Sequence, residues 1–137
     1  MSMSATMAFS LWTGVKLRVL VVDDNGDSAE SLAILLTLKG NEVQTAHDAL
    51  EALGMAEAFR PDLVLLDTGL PGMNGYDVAH RIRNDLGMTE VLLAALTGWG
   101  QEEDRRRSRE AGFDYHLVKP ASPEALDALL SAVAAKK

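Results

Sequence analysis

The chain has 137 residues, the size of one domain, with 47% apolar and 24% charged residues, the balance of an ordinary globular protein. It contains no cysteine, which excludes disulfides and thiolate metal sites, and no apolar run approaches the roughly 18 residues that span a membrane. A formal net charge of -7 argues against direct nucleic-acid binding, which needs a basic face.

Residues 1–15 lack the basic start and long apolar stretch of a signal peptide. They are expected to form a loose leader ahead of a single domain over 16–137. The alternative is a piece that docks through Phe9, Leu11 and Trp12, covering an apolar patch or joining two copies. LRVLVVD follows, apolar and rich in β-branched residues, as expected of a strand buried on both faces. Asp27 stands three residues before Glu30, the spacing of a capping box. The predicted helix carries Ala29, Leu32, Ala33 and Leu36 on one stripe and stops at Gly40.

EVQTA reads as a second strand. Asp48 caps a second helix that runs to about Phe59 and is ended by Pro61. DLVLLD is the third strand, TGLPGMNG a loop dense in Gly and Pro, and a third helix runs from Tyr76 to about Leu86. VLLAALT is the fourth strand, GQEEDRRRSREAG a very polar helix, YHLVK the fifth strand, and Pro123 to Ala135 a closing helix. Five strand–helix units in succession predict an α/β fold, a parallel sheet covered on both faces through right-handed crossovers. No repeat, linker or low-complexity stretch interrupts them, so one domain without an appended output module is expected.

The strand ends carry the chemistry. Asp23 and Asp24 follow the first strand, Asp67 ends the third, Thr97 the fourth and Lys119 the fifth. In an open parallel sheet these ends converge at the carboxyl edge, where ligands bind. Adjacent acids alone would do no more than cap a helix, but two buried carboxylates repel unless a cation lies between them. With Asp67 they offer three oxygen donors, a set that suits a hard cation such as Mg²⁺ and not zinc. Asp67 is the natural nucleophile toward a phosphoryl donor. The Thr97 hydroxyl and the Lys119 ammonium would then hold phosphoryl oxygens.

The motifs VVDD, LLDTGLPGMNGYDVA, ALTG and LVKP occur in order between about Leu17 and Ala134. With them the chain resembles the receiver domain of two-component response regulators, most closely those of hybrid histidine kinases or stand-alone regulators. The resemblance implies a flavodoxin-like, doubly wound sheet of strand order 2-1-3-4-5 with five helices. It implies Asp67 as phosphoacceptor, Mg²⁺ held directly by Asp24 and Asp67 and through water by Asp23, and the Gly69 carbonyl as a further ligand. Thr97 and Lys119 would hold the phosphoryl group, and Lys119-Pro120 matches the family's usual cis peptide.

Four positions bear on switching or on how long the phosphoryl group lasts. Many receivers place Tyr or Phe three residues before the lysine; here it is His116, with Tyr115 expected to face the other way. His116 is either an uninvolved surface residue or performs the inward swing itself, which would make switching sensitive to pH. Gly98 and Trp99 follow Thr97. Trp99 would lie over the pocket and slow hydrolysis of the acyl phosphate, or else contact a partner. Gly69, two residues after the acceptor, has no side chain to orient water.

The expected function is therefore that of a cytoplasmic phosphoacceptor domain. A histidine kinase or histidine phosphotransfer protein supplies the phosphoryl group; no membrane or nucleic acid is contacted directly, and the chain is a monomer or weak dimer. It would be no enzyme beyond phosphorylating and dephosphorylating itself. Two other readings exist. One is an interaction module that is never phosphorylated. The other is an Asp-nucleophile phosphatase of the haloacid-dehalogenase type, which wants an acid where this chain has Gly69.

Overall fold

Strand and helix alternate as the pattern of apolar runs requires. The computed structural model describes residues 16–70, 72–98, 106 and 109–136. The strands are β1 (Arg18–Val22), β2 (Glu42–Ala46), β3 (Leu63–Asp67), β4 (Leu92–Thr97) and β5 (Tyr115–Val118). The helices bounded in full are α1 (Gly26–Leu38), α2 (Ala49–Phe59), α3 (Gly75–Asn84) and α4 (Pro123–Ala135). Between β4 and β5, Arg106 and residues 109–111 are helical. The rest of that polar segment, Trp99, and residues 1–15 with Phe9, Leu11 and Trp12 lie outside the described residues.

All pairings are parallel and the strand order is β2-β1-β3-β4-β5, the expected flavodoxin-like sheet. Alternation of side chains divides the core in two. Leu20, Val22, Val64, Leu66, Leu93 and Ala95 pack with α2 and α3 on one face. Val19, Val21, Leu63, Leu65, Ala94 and Leu96 pack with α1 and α4 on the other. β3 is buried along its whole length, which is why its sequence shows no polar alternation. The reversal of strand order falls between β1 and β3, and a crevice at the carboxyl ends of those two strands follows from it.

Short polar contacts hold the other edge. Asn41, buried, accepts from the Leu17 amide and donates to the Leu36 carbonyl, joining β1 to the end of α1. Arg83 donates from α3 to the carbonyls of Gly112, Met88, Thr89 and Val91 and pairs with Asp114 at 2.6 Å. That one guanidinium ties α3 to the entries of β4 and β5.

Helix starts differ from expectation in one place. α1 is capped by Asn25, whose side chain accepts from the Ser28 amide, and not by Asp27. The helix therefore begins two residues earlier than a cap at Asp27 would place it, and Asp27 lies in its first turn, where an acid still suits the helix dipole. Asp48 caps α2 as expected, accepting from the Glu51 amide. Gly40 adopts φ +99 just past α1, the left-handed position a helix terminator takes. Among the described residues no helix is long and apolar enough to cross a membrane.

Candidate functional site

Asp23 and Asp67 are built alike. Each sits at the end of a central strand and is almost fully buried, 3% and 8% exposed. Each uses one oxygen to organise its own loop: the Asn25 amide donates to Asp23 Oδ1 at 3.0 Å, and the Gly69 amide to Asp67 Oδ1 at 2.8 Å. Such two-residue turns are a habit of aspartate. The second oxygens face a shared cation, Lys119 Nζ, which lies 2.9 Å from Asp23 Oδ2 and 3.2 Å from Asp67 Oδ2.

One ammonium between two buried carboxylates offsets their mutual repulsion. Burial works against the charge of Lys119, but the Asp23 hydrogen bond and the Asp67 and Asp23 charges outweigh it and hold the ammonium above its ordinary value. Lys119 follows β5 and precedes a cis bond to Pro120. Asp24 is exposed, yet one of its oxygens lies within 4.8 Å of oxygens of Asp23 and Asp67.

Three carboxylates against one ammonium leave two negative charges in one place. All the donors are oxygens, the set that a hard divalent ion takes, so the residues present fit Mg²⁺. Gly69 is exposed, and a Cβ there would stand 3.4 Å from Asp67 Oδ1. Asp23 and Lys119 also line a cleft of about 580 Å³ between α1 and the turn after β5, together with Asp27, Leu32 and Leu35 among others.

Thr97 approaches from the other face. It ends β4, one residue past the register partner of Asp67, and is 1% exposed. Its Oγ1 lies 2.8 Å from His116 Nε2. His116 is thus half-buried and in contact with Thr97. Tyr115 and Leu117, its neighbours on β5, pack on the opposite face among the α1 and α4 side chains, as strand alternation requires. Asp23, Asp67 and Lys119 thus make one half of the site and Thr97 with His116 the other. Gly98 is exposed, with open space where a Cβ would go.

Sequence reasoning missed Gly75. It belongs by sequence to a loop dense in glycine, yet it is the first residue of α3, directly after the capping Asn74. A Cβ there would meet the Asp67 carbonyl oxygen at 2.5 Å and Thr68 Cα at 2.6 Å. α3 therefore rests on the backbone that carries Asp67, and its amide donates to the Thr68 carbonyl. Glycine where a helix former would be usual was the available signal.

The family model described as the response regulator receiver domain matches residues 19–131. The chain is 41% identical over 118 residues to the DNA-binding response regulator MtrA of Mycolicibacterium paratuberculosis, covering 86% of this chain and 51% of that one. It is 35% identical over 115 residues to the phosphate regulon transcriptional regulatory protein PhoB of Pseudomonas aeruginosa, covering 84% and 50% respectively. The chain spans about half the length of the curated relatives it matches. Among solved structures, the chemotaxis protein CheY4 of Vibrio cholerae is similar with a TM-score of 0.81 and 30% identity, over 87% of this chain and 99% of that one.

Proposed function

The chain belongs to the response regulator receiver domain family of two-component systems, and on that premise we propose that Asp67 is its phosphoacceptor. A histidine kinase or histidine phosphotransfer protein presents a phosphohistidine. A carboxylate oxygen of Asp67 attacks phosphorus, an O–P bond forms, the N–P bond breaks, and its electron pair leaves with the imidazole nitrogen. The observation that supports this most is Lys119 Nζ lying against both Asp23 and Asp67 beside a third carboxylate.

Asp23, Asp24 and Asp67, with the Gly69 carbonyl, would hold Mg²⁺, which supplies screening between two anions as they approach. Lys119, charged at neutral pH, pairs with one phosphoryl oxygen and Thr97 donates to another. Lys119 already lies against Asp67 before the reaction, so its ammonium needs little reorganisation. The phosphoryl group adds a charge of about −1.5 to −2. That charge draws on Thr97 and Lys119 and biases the surface around β5 and α4. The domain modifies and unmodifies itself and turns over no separate metabolite. It works in the cytoplasm as a monomer or weak dimer. The DNA binding named for the mycobacterial relative belongs to a chain about twice as long.

The test is direct. Incubation of the chain with Mg²⁺ and acetyl phosphate, and separately with a phosphorylated histidine phosphotransfer protein, should add one phosphoryl group by intact-mass measurement. Asp67→Asn should abolish it. An unlabelled wild type, or label that persists in the variant, overturns the assignment.

A further inference from the structure

The Thr97–His116 pair poses a problem of proton supply. A hydroxyl carries one proton and can donate it to one acceptor. The Thr97 oxygen stands 2.8 Å from His116 Nε2, and the residue is 1% exposed. If Nε2 is the bare nitrogen, it takes the Thr97 proton and none is left for an oxygen on Asp67. If Nε2 carries a hydrogen, it donates to the Thr97 oxygen and leaves that proton available. A phenylalanine here could do neither; an imidazole can do both.

The surroundings favour a change from the first arrangement to the second when charge arrives. β4 brings no charged side chain beside the His116 ring, since Ala94, Ala95 and Leu96 run along it and Ala95 is the register partner of His116. Among the described residues, the charged groups across the site are Asp23, Asp24, Asp67 and Lys119, with the ammonium committed to Asp23 and Asp67. New negative charge on Asp67 therefore acts on a pair whose hydrogen-bond direction can reverse. The resulting chain of N–H to hydroxyl to anion strengthens each of its bonds.

We propose that His116 is the positioning residue for Thr97: its Nε2 accepts the Thr97 proton while Asp67 is unmodified and donates to the Thr97 oxygen once Asp67 is occupied. The hydroxyl proton then points at the bound group. Nε2 takes a proton from solvent; the ring then either keeps its Nδ1 proton and becomes imidazolium, or returns the Nδ1 proton to solvent and is the other neutral tautomer. The contact between the two side chains is kept and its direction reversed, which is different from a ring that swings away. This rests on the reading of Asp67 as phosphoacceptor.

Beryllofluoride with Mg²⁺ stands in for the phosphoryl group on a carboxylate and serves as the probe. In the full chain labelled with ¹⁵N-histidine, its addition should convert His116 Nε2 from an acceptor-type to an N–H-type nitrogen. Thr97→Val should leave that signal unresponsive. His116→Phe should weaken beryllofluoride binding about tenfold, roughly the worth of one hydrogen bond, and His116→Gln, whose amide can donate, should recover part of the loss. A wild type that binds beryllofluoride with Nε2 unchanged, or with Nε2 released to water, overturns the inference and leaves the Asp67 reading intact. Equal affinity in a folded His116→Phe variant overturns it as well. A wild type that binds no beryllofluoride overturns both.

Discussion

Lys119 illustrates how a single side chain holds a charged site together before anything binds. Its ammonium is the positive charge that the structure places between Asp23 and Asp67, so Lys119→Met should leave two buried carboxylates facing one another. Stability should fall, and Mg²⁺ should raise the melting temperature of the variant more than that of wild type; an equal rise would show that Lys119 is not the counter-charge. The pH dependence has a definite sign. A lysine held above its ordinary value stabilises the fold fully below the unfolded pKa of about 10.4 and loses that contribution as pH rises through the folded one. The difference in denaturant midpoint between wild type and Lys119→Met should thus stay level from about pH 7 to about pH 9 and shrink only above about 10.4.

At the scale of elements, the approach of α3 to the end of β3 is the tightest constraint near the site. Gly75→Ala puts a methyl within 2.5 Å of the Asp67 carbonyl, too close for a backbone atom to tolerate without moving. The expected outcome is a folded protein with near-native circular dichroism whose rate of phosphorylation from acetyl phosphate drops by about tenfold or more, because misplacement of the reacting group by an ångström is costly. An unchanged rate would mean that α3 shifts away without carrying Asp67. Strands β1, β3 and β4 were legible because buried parallel strands write themselves as unbroken runs of Val, Leu and Ala. Helix entry at α1 was not, since Asn25 and Asp27 are both good caps. The choice between them is made by where the chain leaves β1: Asn25 donates its amide to Asp23 and so stands at the turn.

The molecule as a whole couples its site to its stability by mass action. A ligand that binds the folded chain only, at a hundred times its dissociation constant, stabilises by about 2.7 kcal/mol. Beryllofluoride with Mg²⁺ should therefore raise the melting temperature by on the order of 10 °C. Asp67→Asn should show no such rise, and a shift of equal size in that variant would place the binding elsewhere. The succession of strands and helices and the polar group at each strand end are legible in the chain alone, because periodicity and strand-end position are local properties. The sequence also named His116 as the odd residue without being able to say what it touches. That Lys119 bridges two acids, that Thr97 and His116 hydrogen-bond on the opposite face, and that Gly75 lets a helix rest on the Asp67 backbone emerges from the folded chain. Those are contacts between segments far apart in sequence, and they exist only once the sheet has brought its strand ends to one edge.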